Sequence, residues 1–209
     1  TGSDLGIVVT ASHNPPSYNG YKIKSSYGGP AVPSDIEEVE SMIPDTSLNN
    51  LPEIKELREK GLVDYIDLEN MYLEHVKSNF DLDKIKASGL KLAYDGMYGA
   101  GQNVIRRLFP EALLLHCDFN PSFMGQAPKK KKKNLKEISE RIKNGDYNLG
   151  LANDGDADRI GLFDEDGKFV DSHHILLLLL YYLFEYKKQT GKVVITFSVT
   201  DKMKKLAEH

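Results

Sequence analysis

The chain has 209 residues, 40% of them hydrophobic, which supplies enough apolar surface for one large domain or two small ones. Its formal net charge of −4 gives no global attraction to nucleic acid or to anionic membranes, so we expect neither as a partner. The single cysteine, Cys117, excludes an internal disulfide, and no secretory signal opens the sequence, which predicts a cytoplasmic location.

Strand-like apolar runs alternate with helix-like periodicity along the chain. The predicted strands are Gly6–Val9, Lys91–Tyr94, Ala112–Leu115, Leu149–Ala152 and Val193–Phe197. The predicted helices are Ser34–Met42, Leu68–Asn79, Gln102–Leu108, Asn134–Lys143 and His174–Lys187. Strands separated by such helices predict an α/β fold with mixed, mostly parallel sheets flanked by helices. The apolar segment Ile175–Phe184 is far shorter than the roughly 20 residues that cross a bilayer, so we expect a buried helix.

These elements suggest three parts, residues 1–67, 68–171 and 172–209. The polar segment Pro44–Lys60 is expected to connect the first part to the helix that begins at Leu68. The last part has too few elements to bury its own apolar faces, and the first strand has no upstream partner, so we expect a fragment of a longer protein. Five consecutive lysines, Lys129–Lys133, are typical of a solvated loop, and no interleaved aromatic residue supports a nucleic-acid patch.

The first predicted strand runs into Thr10–Lys22, which reads TASHNPPSYNGYK. Its two prolines stiffen a turn that carries the hydroxyl of Ser12, the imidazole of His13 and the amide of Asn14. Ser12 is either a capping hydroxyl or a nucleophile that carries a phosphate, in which case His13 and Asn14 would donate hydrogen bonds to that phosphate. Lys22 adds a cation that could act as a proton shuttle.

A second motif, Asn153–Arg159, reads NDGDADR and has carboxylates at Asp154, Asp156 and Asp158. Three acids at alternate positions repel one another, which favours a hard cation such as Mg²⁺ between them. In an extended strand the first and third acids would be ~13 Å apart, too far to share one ion. The segment must therefore curl, which its small spacer residues permit.

An EF-hand calcium loop is the competing interpretation, because the three aspartates and Glu165 fall at its ligand positions. Arg159, however, stands where that loop needs glycine for its turn. The flanking runs Leu149–Ala152 and Ile160–Phe163 are predicted strands, and Asp164–Gly167 is predicted to be the turn of a following hairpin. Arg159 could simply neutralise the carboxylates, or it could hold one phosphoryl oxygen while the cation holds another.

Two other segments favour structural interpretations. Asp95–Gly101 reads DGMYGAG between a predicted strand and a predicted helix. It could cradle a phosphate, but it lacks the spacing of nucleotide-binding loops, so a tight strand-to-helix turn is the favoured interpretation. The pair His173 and His174 is expected to be polar residues at a helix start, because no cysteine or carboxylate lies at zinc spacing.

The motifs TASHNPPSYNGYK, Gly28–Ala31, DGMYGAG and NDGDADR, in this order, resemble the α-D-phosphohexomutases, the phosphoglucomutase and phosphomannomutase family. The resemblance covers essentially the whole chain. It implies phosphoglucomutase-type domains, with the end of domain 1 and a linker in residues 1–67, domain 2 in 68–171 and the start of domain 3 in 172–209.

The resemblance also implies a site and a reaction. Ser12 would be a phosphoserine whose phosphate binds Mg²⁺ together with Asp154, Asp156 and Asp158. Arg159 and Lys22 correspond to active-site residues of the family, and His13 and Asn14 complete the serine loop. The implied reaction moves phosphate between the 1- and 6-hydroxyls of a hexose phosphate through a hexose 1,6-bisphosphate, which is also the expected activator.

Departures from the family pattern limit these expectations. Members have four domains, and the sugar-recognition loop and the distal phosphate-binding domain are absent from this sequence, so we expect the chain alone to be inactive. The choice among glucose, mannose and glucosamine phosphates, and the oligomeric state, stay open. Lys129–Lys133 replace a run that is usually rich in proline and glutamate. A metal-dependent sugar phosphatase and a non-enzymatic Ca²⁺-binding module remain alternatives.

Overall fold

The computed structural model describes residues 2–47, 49–125 and 135–208, so the lysine run Lys129–Lys133 lies outside the described residues. The chain divides into two compact units. The first comprises residues 1–10 and 19–81, and the second comprises residues 11–18 and 82–209. The sequence-based boundary at residue 67 falls inside the first unit.

In its described residues, the first unit contains one antiparallel hairpin and three helices. Strands β1 (Gly6–Val9) and β2 (Tyr21–Lys24) pair with Gly6 opposite Lys24, and helices α1 (Pro33–Ser41), α2 (Ile54–Glu59) and α3 (Leu68–Asn79) follow. The backbone groups of Thr10 and Gly20 exchange hydrogen bonds of 3.0 and 3.1 Å, which extend the hairpin beyond the strands. Helix α3 has the predicted bounds, because the Asp67 side chain accepts the N–H of Asn70 as an N-cap.

The second unit is built on a five-stranded mixed sheet. Its strands are β3 (Leu92–Asp95), β4 (Leu113–Leu115), β5 (Leu149–Asn153), β6 (Ile160–Phe163) and β7 (Phe169–Val170), in the order β4-β3-β5-β6-β7. The pairs β3–β4 and β3–β5 are parallel, whereas β5–β6 and β6–β7 are antiparallel. The α/β class with a mixed sheet is therefore confirmed, as is the hairpin turn at Asp164–Gly167, where the Gly167 N–H donates to the Asp164 carbonyl.

Helices flank this sheet. They are α4 (Leu82–Ala87), α5 (Gln102–Leu108), α6 (Lys136–Asn144), α7 (Ser172–Tyr181) with a π-helical extension Tyr182–Tyr186, and α8 (Lys202–Ala207), and a short 3₁₀ turn spans Phe123–Gly125. The amphipathic helix α6 buries Ile138 and Ile142 against the sheet residues Ala93, Ala152 and Phe163. All four residues of β3 are buried, so this strand is the centre of the core.

Two expectations about the last 40 residues are wrong. Val193–Phe197 does not form a strand, and Val194 is 91% exposed. Its β-branched residues favour an extended chain, but a strand needs a pairing partner, and the described residues supply none. Ile175–Phe184 is helical as predicted but not buried, because α7 contacts mainly α8 and β6, and Leu178 stays 59% exposed. Within the described ranges, no helix is both long and apolar enough to cross a membrane.

Candidate functional site

The carboxyl ends of the three parallel strands lie at one edge of the sheet. Strand β3 ends at Asp95, His116 follows β4, and Asp154 follows β5. The chain passes from β3 to β4 on one side, whereas β5 lies on the other side of β3. In α/β sheets, ligands bind outside the carboxyl ends of the strands at such a switch in direction. This edge is therefore the place where the topology favours a site.

The metal loop, Asn153–Arg159, curls at this edge as predicted. The Ala157 N–H donates to the Asp154 carbonyl at 3.0 Å, and Ala157 has a left-handed backbone with φ 58°. The Asn153 side chain donates to the Arg159 carbonyl at 2.8 Å, and the Arg159 N–H donates to Oδ1 of Asp154 at 3.0 Å. These bonds close the loop and bring one carboxylate oxygen each of Asp154, Asp156 and Asp158 within 4.8 Å of one another.

The chemistry of these three carboxylates fits a divalent cation. Asp154 is 1% exposed, and its Oδ2 has no hydrogen-bond partner among the residues that the structure describes. Burial raises the pKa of Asp154, and the charges of Asp158 and Asp156 raise it further, against a lowering by the Arg159 N–H. A buried carboxylate oxygen is costly unless a partner compensates it. A hard cation that prefers oxygen ligands would supply that partner.

Arg159 lies beside two of the carboxylates without being enclosed by them. Its Nε is 3.6 Å from Oδ2 of Asp154 and 3.8 Å from Oδ1 of Asp158, and 52% of the side chain remains exposed. The guanidinium group carries five N–H donors in a planar arrangement. It can therefore offset part of the acidic charge and still present donors to an anion from solvent.

Ser12 lies in a tight and partly strained turn. Its backbone is left-handed with φ 51°, which costs a residue other than glycine about 1–2 kcal/mol. The Asn14 N–H donates to the Ala11 carbonyl at 2.9 Å, and the Tyr18 N–H donates to the Pro15 carbonyl at 3.0 Å. Oγ of Ser12 lies 3.3 Å from Nδ1 of His13. The stiff turn expected from the sequence is thus present.

The structure groups some of the predicted site residues and separates others. Ser12, His13 and Asn14 share one turn, and the three aspartates share the metal loop with Arg159. Both segments belong to the second unit. Lys22 belongs to the first unit, where it lies on β2 opposite Val8. The described geometry therefore supports the acidic cluster directly, and the role of Lys22 stays a prediction.

One polar cluster at this edge was missed from the sequence. The buried carboxylate of Asp95 accepts the N–H of Met97 at 2.9 Å and lies 3.0 Å from Nδ1 of His116. Nε2 of His116 is 3.5 Å from the carboxylate of Glu137. The hydrogen bond to Asp95 is the largest cause that raises the pKa of His116, and Glu137 and Asp118 add to it against partial burial. The sequence feature that could have revealed this cluster is a histidine directly after a predicted parallel strand.

Cys117 lies in the buried core beside this edge. It is buried, its thiol donates to the Leu115 carbonyl, and burial raises its pKa to about 11. The thiolate is the reactive form of cysteine, and it would be scarce here.

Comparison with known proteins agrees with this geometry. Models of the phosphoglucomutase/phosphomannomutase family match residues 1–50 as α/β/α domain I and residues 70–167 as α/β/α domain II. A phosphoglucosamine mutase of Methanococcus maripaludis strain C5 is 34% identical over 206 residues, covering 92% of this chain and 43% of the relative. The phosphoglucosamine mutase of Lactobacillus delbrueckii subsp. bulgaricus is 31% identical over 200 residues, covering 93% and 43%.

A solved structure shares the fold. The crystal structure of a protein assigned as a phosphomannomutase from Thermus thermophilus matches with a TM-score of 0.82 and 29% identity, over 99% of this chain and 47% of that one. The chain belongs to the phosphoglucomutase/phosphomannomutase family, the α-D-phosphohexomutases. The chain spans less than half the length of the curated relatives that it matches.

The acidic cluster gives a first prediction. Asp154→Asn keeps a side-chain oxygen for the Arg159 N–H but removes one charge, so Mn²⁺ or Mg²⁺ affinity should fall about 10- to 100-fold in calorimetric titration. Without divalent ions the same variant should unfold at a higher temperature, because burial of a charge is relieved. Asp166→Asn, at an exposed hairpin position paired with Lys168, is the matched control and should change neither property. Unchanged Mn²⁺ affinity in Asp154→Asn would contradict a metal site.

His116 gives a second prediction. Because its pKa is raised, its contribution to stability should be complete below the ordinary value near 6.5 and should be lost as pH rises through the raised value. Urea unfolding of the second unit should therefore show stability falling over this range, and His116→Gln should flatten that fall. His173→Gln, at an exposed position on α7, should retain it. An equal pH dependence in all three proteins would rule out the Asp95–His116 pair as the cause.

Proposed function

We propose that this chain is part of an intramolecular phosphotransferase that interconverts hexose 1-phosphates and hexose 6-phosphates. The observation that carries the proposal is the curled metal loop at the switch point of the sheet, in the same unit as the Ser12 turn. Three clustered carboxylates, an exposed arginine and a serine are the groups that such a transfer needs, because phosphoryl transfer depends mainly on positioning and on electrostatic stabilisation.

Ser12 is the proposed phosphoryl carrier. In the forward step the bond between phosphorus and Oγ of phospho-Ser12 breaks, and a bond to a hydroxyl oxygen of the hexose monophosphate forms. The hydroxyl proton passes to a base, for which Lys22 is the candidate. The hexose 1,6-bisphosphate then turns around and its other phosphate passes to Oγ of Ser12, while the proton held by the base passes to the sugar oxygen that releases this phosphate.

The remaining residues hold the reacting groups. Asp154, Asp156 and Asp158, together with the phosphate of Ser12, would hold Mg²⁺, which would offset the charge of the transferring group. His13 and Asn14 would donate hydrogen bonds to that phosphate. Arg159 would bind the phosphoryl group in the two-pronged manner of guanidinium groups.

The domain assignment and the substrate are parts of the same proposal. Residues 1–67 would be the end of domain 1 with its linker, 68–171 domain 2 and 172–209 the start of domain 3. The substrate is a hexose phosphate, a hexose 1,6-bisphosphate is the activator, and the cell compartment is the cytoplasm. Glucosamine phosphates are the first substrates to test, ahead of glucose and mannose phosphates, because several relatives are named phosphoglucosamine mutases.

Phosphorylation of Ser12 is the third prediction. Incubation with a hexose 1,6-bisphosphate and Mg²⁺ should add one phosphate to the intact mass of the chain, and peptide mapping should place it on Ser12. Ser12→Ala should gain none, whereas Ser17→Ala, in the neighbouring turn, should gain as much as the unchanged protein. A phosphate that maps elsewhere, or that persists in Ser12→Ala, would contradict the proposed carrier.

The same incubation separates the alternatives. A sugar phosphatase would release inorganic phosphate in step with loss of the bisphosphate, whereas the proposed half-reaction releases hexose monophosphate and leaves the phosphate on the protein. A Ca²⁺-binding module would prefer Ca²⁺ over Mg²⁺ in calorimetry, with no dependence on phosphorylation of Ser12.

Turnover is the fourth prediction. We expect negligible conversion of hexose 1-phosphate to 6-phosphate by this chain alone, because it spans less than half the length of its curated relatives and the transfer depends on orienting the whole substrate. Coupled assays with glucosamine, glucose and mannose phosphates measure this. Robust turnover by the purified chain would overturn the expectation.

A further inference from the structure

We propose that the glycine loop, Asp95–Gly101, holds the metal loop in its curled form, so that Gly99 and Ala100 are positioning residues for the three carboxylates. The inference deepens the proposed function and rests on it for the assignment of Asp154, Asp156 and Asp158 as metal ligands. From the sequence, this segment was expected only to be a tight strand-to-helix turn. Its contacts with the metal loop indicate that it also positions that loop.

The two loops touch backbone to backbone. The Ala100 N–H donates to the Gly155 carbonyl at 2.9 Å. A Cβ atom added to Gly99 would lie 2.4 Å from the Gly155 oxygen and 2.9 Å from its Cα. A side chain could rotate away from such an intrusion, but a backbone can only shift. Gly99 therefore allows an approach that no other residue at this position would allow.

A second close approach lies two residues further along the glycine loop. A Cβ atom on Gly101 would lie 3.4 Å from Cβ of Ala157 and 2.2 Å from the hydroxyl of the fully buried Tyr94. The glycine loop thus faces both Gly155 and Ala157, the two spacer residues between the three aspartates. Contacts to the spacers constrain the stretch of backbone that carries all three carboxylates.

The glycine loop is itself fixed to the neighbouring strand. The Gly96 N–H donates to the Leu115 carbonyl at 3.0 Å, and the Tyr98 N–H donates to the His116 carbonyl at 2.7 Å. The buried Asp95 carboxylate accepts the N–H of Met97, two residues further along the loop. The glycine loop is therefore anchored at the end of β4 and can transmit that rigidity to the metal loop.

The restraint opposes a force that the acids create. Three carboxylates with oxygens within 4.8 Å repel one another, and a loop free to move would open to separate them. A ligand set that is held in its bound arrangement before the ion arrives loses less entropy on binding. Loosening the contact at Gly155 should therefore weaken cation binding without removing any ligand.

The test uses the whole chain and Mn²⁺ as the probe, titrated by calorimetry and by electron paramagnetic resonance. Gly99→Ala should reduce Mn²⁺ affinity about tenfold. The matched control is Gly145→Ala, where an added Cβ would lie 2.7 Å from the Arg141 carbonyl, also a backbone oxygen but at the end of α6. Both variants should lower the unfolding temperature, and only Gly99→Ala should lower affinity at temperatures well below unfolding.

If Gly99→Ala fails to fold, a second pair of variants tests whether the glycine loop positions the carboxylates. Ala100→Pro removes the N–H that donates to Gly155 and should weaken Mn²⁺ binding, whereas Ala100→Gly keeps the donor and should retain it. Equal Mn²⁺ affinity in Ala100→Pro and Ala100→Gly, with affinity still reduced in Asp154→Asn, overturns the positioning role and leaves the metal assignment intact. Absence of Mn²⁺ binding by the unchanged chain overturns both.

Discussion

Mutual repulsion of three carboxylates in one short loop is the constraint around which this sheet edge is organised. Such a cluster is unfavourable in an isolated folded chain, and the burial of Asp154 makes it more so. The acidic cluster lies at the end of β5, between β3 and β6, and both of these strands contribute buried residues to the core. A rigid scaffold is what allows an unfavourable charge arrangement to persist, and a bound cation would compensate it.

The turn that carries Ser12 is also held in an energetically unfavourable arrangement. Ser12 has a left-handed backbone in a turn closed by the Asn14 N–H and flanked by two prolines. The strain of the Ser12 turn lies in one left-handed backbone torsion, whereas the strain of the metal loop is electrostatic. Both segments lie in the second unit, although Ser12 directly follows the first strand of the first unit. The compact unit that contains Ser12 is therefore not the unit that contains the strand preceding it in the sequence.

Local signals predicted much of this arrangement. The helix Leu68–Asn79 was bounded correctly because its cap lies in the sequence, and the curl of the metal loop followed from the size of an ion. Pairing was harder to predict. Val193–Phe197 had strand propensity without a partner, and Tyr21–Lys24 was missed because a short polar strand depends on its neighbour. The Asp95–His116 pair and the approach of Gly99 to Gly155 bring together residues far apart in sequence. His116 after a predicted strand was a signal for the first, whereas no local pattern reveals the second.

The contact between Gly99 and Gly155 bears on how such sequences can change over time. A larger residue at position 99 fits only if the metal loop moves, so the DGMYGAG and NDGDADR segments constrain each other although about 55 residues separate them. A variant that has the three aspartates but a larger residue at position 99 would retain the acidic motif and lose the curled conformation of the metal loop. The acidic motif alone therefore does not identify a curled metal loop, because the curl also depends on Gly99.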